Sequence, residues 1–277
     1  MDVRMGYEQL CNCIIRPSRC EYSITDLGPK RFRLGKAAYQ RNDFELMNPR
    51  GLSLQCSHYE PLAPHRPREK LPCVIYLHGN CGSRLDGQQH LRMILPYDIT
   101  LFTFDFSGCG LSQGEYISLG LYEQEDVTTV VQHLRASNSV TRIALWGRSM
   151  GAATSIMFNA TDPSIAGIVL DSPFTSLHTV DEELVRSNRF SVPKVLISLA
   201  MKAIRRSIQG RAGFDIDKLA PIDHVEMCFS PALFVHGVGD TFILPHHGQE
   251  LKSKYVSSCV RRFISDLLFS FFFFFFC

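Results

Sequence analysis

The sequence predicts an α/β fold, a mostly parallel sheet covered by helices on both faces. Three observations carry this reading. Continuous apolar runs recur at 73–77, 99–104, 142–146, 165–170 and 231–237, as expected of strands buried on both sides. Helical segments at 85–95 and 119–135 lie between them, the second with Leu121, Val127, Val130, Val131 and Leu134 at helical spacing. The third is the stretch 144–153, where an apolar strand passes through Gly147-Arg148-Ser149-Met150-Gly151 into a run of small residues. Strands and helices alternating at this spacing imply parallel strands joined by right-handed crossovers.

The elements in order refine the picture. Residues 1–35 read as a leader of mixed character, broken by Pro17 and Pro29. A domain spans 36–259. It opens with strands at 39–47 and 52–58, joined through Asn48-Pro49-Arg50-Gly51 as an antiparallel hairpin at the sheet edge. Residues 61–72 form a solvated loop. Gly108-Cys109-Gly110 with Gly114 lacks the dinucleotide-binding spacing and reads as a tight turn. After Asp171-Ser172-Pro173-Phe174 the alternation stops. The interval 172–220 reads as a cap insertion, with helices at 176–186 and 193–208. In the second, Lys194, Ser198, Lys202, Arg205 and Arg206 form a polar stripe opposite Val195, Ile197, Leu199, Met201 and Ile204. Such a basic face could touch an anionic membrane surface, although lysine and arginine ordinarily face water. A final helix covers 246–256.

Composition bounds the function. The 277 residues, 45% hydrophobic and 20% charged, suit one large domain. A formal net charge of +2 gives no reason to expect a nucleic-acid partner. Ten cysteines are scattered without paired Cys-x-x-Cys motifs, so no metal site is expected. Residues 1–19 do not look like a signal peptide. Free thiols in a reducing, cytoplasmic setting follow as the expectation. Cys11, Cys13 and Cys20 could carry palmitoyl groups, but no membrane-facing element accompanies them and they read as incidental.

The Gly-x-Ser-x-Gly stretch carries the chemistry. A serine hydroxyl is a weak nucleophile and must meet a base with little steric cover. A sharp strand-to-helix turn presents it so, at the cost of strained backbone. Gly147 and Gly151 leave room where a Cβ would strike the neighbouring strand or helix. The following helix aims free N–H groups, starting with Met150, at a developing oxyanion.

Five motifs lie in one order: His78-Gly79-Asn80, Asp105-Phe106-Ser107-Gly108-Cys109-Gly110, Gly147-Arg148-Ser149-Met150-Gly151, Asp171-Ser172-Pro173-Phe174 and His236-Gly237-Val238-Gly239-Asp240. Together they resemble the α/β-hydrolase superfamily, in its serine-aminopeptidase-like or Bem46-like branch and close to plant members. The resemblance implies the α/β-hydrolase fold and a serine hydrolase without cofactor. Its substrates would be small-molecule esters, thioesters or amides, acyl or lipid-like ones among them. It implies Ser149 as the nucleophile that forms the acyl-enzyme and Asp240 as the acid that orients a histidine, with Asp171 as the fallback. The oxyanion donors would be the backbone of Met150 and of the loop at Asn80 and Cys81. His78 would shape that loop rather than act as base.

The chain departs from the pattern at its end. The resembled order is serine, acid, histidine, and the last histidine here is His247. Residues 260–277 read as an aberrant tail ending in Phe271–Phe276 and Cys277, and its stretch from Ile264 to Cys277, 14 residues with Asp266 among them, is too short to span a membrane. The expectation is that the last strand, histidine turn and closing helix are missing or replaced, as in a truncated isoform or a misjoined gene. The hydrolase would then be impaired. The alternative is a non-catalytic binding or regulatory protein. Either His246 or His247 would have to replace the base, a role the resembled proteins do not give that position.

Overall fold

The computed structural model describes residues 8, 11–12, 14–187, 194–256 and 263–264. The strands are β1 (Arg31–Leu34), β2 (Ala37–Met47), β3 (Ser53–Pro61), β4 (Leu71–Leu77), β5 (Thr100–Phe104), β6 (Val140–Arg148), β7 (Ile168–Asp171), β8 (Ala232–Val235) and β9 (Phe263–Ile264). Among the described residues they form one sheet in the order β1-β2-β3-β5-β4-β6-β7-β8-β9. The first three strands are antiparallel, and β3 joins β5 antiparallel. From β5 to β9 every pairing is parallel.

The strand sequences explain the two-sided burial. Every residue of β5 is buried, and β4 is buried at all positions but one. Along β4, Cys73, Ile75 and Leu77 enter a core with Phe102, Phe104, Leu145 and Ile156, while Val74 and Tyr76 enter a second with Leu101, Trp146, Ile94 and Leu95. Successive side chains point to opposite faces, so a run apolar at every position needs cover on both. Helices α1 (Glu123–Ala136) and α2 (Met150–Asn159) cover the first face. Of α1, the predicted Val127, Val130, Val131 and Leu134 are all buried.

Several boundaries differ from those read off the sequence, each for a local reason. β1 lies inside the segment read as leader and turns into β2 through Gly35, at φ 58°. The helix expected at 85–95 is a chain of tight turns over 84–97 containing only one turn of α-helix, Leu91–Ile94. It lies flat on the sheet: a Cβ on Gly87 would sit 2.3 Å from Thr103 Cγ2. The helix expected from 119 begins at Glu123. Leu119 and Gly120 have positive φ, and the Glu123 carboxylate turns back to accept N–H bonds from Ser118 (2.9 Å) and Gly120 (2.8 Å). Local side-chain acceptors of this kind compete with helix extension.

The Gly108–Gly110 turn has a packing cause as well. A Cβ on Gly110 would fall 2.5 Å from the Asp105 carboxylate. Asp105 is fully buried and accepts bonds from Tyr22 Oη (2.6 Å), Arg84 N (2.7 Å) and Leu111 N (2.9 Å).

Beyond β7 come α3 (Leu177–Ser187) and α4 (Lys194–Ala212). On α4, Ile204 and Ile208 are buried while Lys202 and Arg206 are exposed, so that part of the polar stripe faces solvent. The last helix is α5 (Pro245–Lys254). No helix among the described residues is long and apolar enough to cross a membrane. Cys13, the Phe271–Phe276 run and Cys277 lie outside the described residues. Of the segment read as an aberrant tail, Phe263 and Ile264 pair in parallel with Phe234 and Val235, where a further strand extends the sheet. Cys11 is fully buried and belongs to the first core.

Two predictions follow from this packing. A Cβ on Gly151 would lie 2.0 Å from the Leu77 carbonyl oxygen. Gly151→Ala should lower the unfolding free energy by about 2–3 kcal/mol, read as a shifted urea midpoint at unchanged slope. Burial also pushes the imidazoles of His58, which contacts Thr100 Oγ1 at 3.0 Å, and His90, tilted against Trp146 with ring centroids 4.0 Å apart, down to about 4. A folded-state value below the unfolded one gives stability that is complete above about pH 6.5 and is lost as pH falls toward 4. Thermal melts across that window should show the decline, and His58→Gln should flatten it.

Candidate active site

The connectivity itself marks a position on the sheet. From β4 the chain moves outward to β5, then crosses back over β4 to β6. The segments leaving the carboxyl ends of β4 and β6 therefore diverge, and such switch points open a crevice at that edge. The segment after β4 is His78-Gly79-Asn80-Cys81, and the one after β6 is the Ser149 turn.

Ser149 sits in that turn at φ 50°, ψ −111°, a conformation rare for any residue with a side chain. Its surroundings hold it there. Its N–H donates to the Asp171 carbonyl at 2.8 Å, and its carbonyl accepts from Ala153 N at 3.0 Å. Gly147 permits the turn because a Cβ there would sit 2.1 Å from the Gly151 carbonyl oxygen. Ser149 remains half-buried, while the side chains of α2 that follow it are buried throughout. Met150 opens α2, and the first N–H groups of a helix have no acceptor within it.

The loop after β4 faces the serine: a Cβ built on Gly79 would lie 3.8 Å from Ser149 Cβ and 3.5 Å from the Arg148 carbonyl. Asn80 and Cys81 are exposed there, Cys81 with φ 61° and its Sγ 3.7 Å from Asn80 Oδ1. His78 anchors the loop from beneath. It is fully buried, its Nδ1–H donates to the Gly79 carbonyl (2.8 Å), and its Nε2 accepts from Phe106 N–H (3.1 Å). Burial holds its pKa down. Both ring nitrogens are committed, so His78 shapes the loop and is not available as a base.

Two carboxylates come from the next strands. Asp171 ends β7 beside Arg148, with Nε to Oδ2 at 3.9 Å. Burial raises its pKa, and the Asp240 carboxylate adds to the rise. Asp240 follows β8, and its Oδ1 accepts from Phe242 N and Ile243 N, both at 3.0 Å. Its Oδ2 lies 3.8 Å from His236 Nε2, which donates to the Ile243 carbonyl at 2.8 Å. Val238 and Phe242 are largely exposed on either side of Asp240.

All ten histidines lie within the described residues, and none of them hydrogen-bonds the Ser149 hydroxyl. His246 and His247 instead meet Glu183 of α3, at 2.7 and 3.0 Å from their Nε2 atoms. Glu183 and Thr175, which also contacts His247, escaped the sequence reading. They stand more than 60 residues away from the histidines and carry no motif of their own.

With this geometry in place, comparison with known proteins is informative. Residues 69–220, more than half of the chain, match the hydrolase family described as Serine aminopeptidase, S33. The chain belongs to this hydrolase family. Among curated relatives, it is 26% identical over 196 residues to the Bacillus subtilis protein YqkD, which is described as uncharacterized, covering 68% of this chain and 61% of that protein. It is 27% identical over 195 residues to the lysophosphatidylserine lipase ABHD12 of Xenopus tropicalis, covering 65% of this chain and 46% of that protein. The chain thus spans about half to three fifths of the length of these relatives. The Pyrococcus furiosus esterase Pf2001 has the same fold, with a TM-score of 0.66 at 21% identity over 91% of this chain and 89% of that one. The family match and the shared fold agree with the α/β-hydrolase fold expected from the motifs.

The strain at Ser149 is measurable. Backbone held in such a region costs on the order of 1–3 kcal/mol. Ser149→Gly should therefore raise the unfolding free energy by about 1 kcal/mol, after the larger unfolded-state entropy of glycine is deducted, whereas Ser149→Ala should leave it nearly unchanged. Equal denaturation midpoints for both variants would contradict a strained elbow.

Proposed function

We propose that this chain is a serine hydrolase of the Bem46-like branch that cleaves small-molecule esters, thioesters or amides through an acyl-enzyme on Ser149. The observation that carries the reading is the strained serine at the switch-point crevice, with the helix start of Met150 on one side and the Gly79–Cys81 loop on the other. In the proposed step, Ser149 Oγ attacks the substrate carbonyl carbon and its proton passes to a base. The oxygen that gains charge is met by the N–H groups of Met150 and of Asn80 or Cys81, where fixed dipoles need no reorganisation. The bond to the alcohol, thiol or amine then breaks, and water releases the acyl group. Asp240 is the acid suited to orient an imidazole, since its Oδ2 is turned away from the backbone amides that fix its Oδ1.

The substrate's acyl part would meet apolar surface. Val238 and Phe242, 65% and 61% exposed, flank Asp240 and can cover an alkyl chain. The residues at 172–220 would close over the crevice as a cap. A lipase among the relatives and esterases sharing the fold agree with an ester or lipid-like substrate. The reducing, cytoplasmic setting stays part of the proposal, supported by the seven free cysteines among the described residues.

The same geometry favours a slow reaction in the 277-residue chain taken alone. His78 is locked, and His246 and His247 are engaged by Glu183, so Ser149 has no imidazole to take its proton. Loss of one triad member typically leaves a residual rate from the oxyanion site, several orders of magnitude down. A binding role without turnover is the second reading, and this observation is what favours it.

A fluorophosphonate probe and a short-chain p-nitrophenyl ester distinguish these outcomes. Weak labelling and slow hydrolysis that vanish in Ser149→Ala are expected. Ester hydrolysis undiminished in Ser149→Ala would remove the serine from the mechanism. A complete absence of labelling, with ester still bound, would leave the binding role.

A further inference from the structure

The only cluster of metal-ligating groups among the described residues lies outside the serine crevice. Glu183 of α3 meets His246 and His247 in the first turn of α5. The ligand atoms of all three lie within 4.8 Å of one another. The two imidazole rings stack at 4.3 Å between centroids, and both Nε2 atoms point at the one carboxylate.

We propose that Glu183, His246 and His247 bind a divalent metal ion of the zinc class, which pins α3 to the start of α5. Two imidazoles and a carboxylate are a recognised donor set for zinc, with the fourth position left to water. Nitrogen and carboxylate ligands at about 2.0–2.2 Å from zinc stand roughly 3.3 Å apart in a tetrahedron. The present contacts of 2.7 and 3.0 Å need to open by a few tenths of an ångström, and ligand atoms now within 4.8 Å of one another need to settle at that common spacing.

The surroundings of His247 suit this role. It is fully buried, and its other nitrogen, Nδ1, lies 2.8 Å from Thr175 Oγ1. A histidine that coordinates through Nε2 carries its proton on Nδ1 and needs an acceptor for it. Thr175 Oγ1 is that acceptor. Without metal the ring proton sits on Nε2 and bonds Glu183, while the threonine hydroxyl and N–H face Nδ1 as donors. The threonine hydroxyl can turn to accept from Nδ1–H, whereas the Thr175 backbone N–H, 3.3 Å from Nδ1, only donates and must give way when the metal binds. His246 is half-exposed, so the water-bearing position of the ion opens on its side.

A metal here would act on the cap region rather than on the acyl chemistry. Glu183 belongs to the first helix beyond Asp171, and the histidines belong to the helix beyond Asp240. The two segments that border the crevice on this side would then move together.

The test uses the purified 277-residue chain, stripped with a chelator, then dialysed against micromolar zinc and assayed for bound metal. One zinc per chain is expected, lost in Glu183→Gln and in His246→Gln. Zinc should also raise the melting temperature of the native sequence and of Ser149→Ala alike, and of neither ligand variant. Cobalt substitution should give visible absorption without a thiolate charge-transfer band, and Cys81→Ser should retain it. Circular dichroism checks that the variants fold, and His246→Gln is the safer one because its ring is half outside. No zinc bound at micromolar concentration, or equal binding by both ligand variants, would overturn the site. It would show Glu183 to be a hydrogen-bonded latch alone. Neither result bears on Ser149, since the metal measurement is unaffected by loss of the nucleophile.

Discussion

One close approach organises this molecule. Helix α2 begins so near the end of β4 that Gly151 has no room for a side chain against the Leu77 carbonyl. One residue pairing away, Gly147 of β6 lies beside Leu77 and against the carbonyl of Gly151. The two glycines let strand, turn and helix share a space that ordinary residues would overfill. Ser149, between them, has the backbone conformation that remains. The register of β6 on β4 and the course of the loop after β4 are tied to the same contact, so the nucleophile candidate and its facing loop form as one unit.

Buried carboxylates hold the remaining loops in shape. Asp105 gathers Tyr22, Arg84 and Leu111. Glu123 closes the turn at Ser118–Gly120, and Asp126 binds Asn48, Arg50 and Ser107. Asp105 and Asp126 bring together segments distant in the chain, the leader included, while Glu123 acts on its own turn. An unpaired buried charge is costly, so each set tolerates little rearrangement once formed.

Histidines mark where the chain parts from the plain triad pattern. The Gly79 loop and the start of α2 stand beside Ser149, while His78, His236, His246 and His247 serve backbone contacts and Glu183. His78 holds a loop from below, and His236 donates to the backbone of the Asp240 turn. A residue type suited to catalysis thus does structural work at four positions around the same edge of the sheet.

The alternation of apolar runs with amphipathic segments was enough to establish a parallel sheet covered on both faces, because burial on two sides leaves a local, periodic trace. The elbow was equally legible, since steric exclusion confines Gly147 and Gly151 to glycine whatever the rest of the chain does. Where side chains act on backbone at a distance, the sequence was silent. Helix α1 starts at Glu123 because that carboxylate captures amides behind it, and the turns at 84–97 stay tight because Gly87 rests on Thr103. β1 needed its partner β2 to be a strand at all. The pair His246-His247 was visible as residues, but its use depended on Glu183 and Thr175, which only the packing of α3 on α5 brings within bonding distance. Periodicity and local sterics are written along the chain, whereas the pairing of charges across it is settled by the folded arrangement.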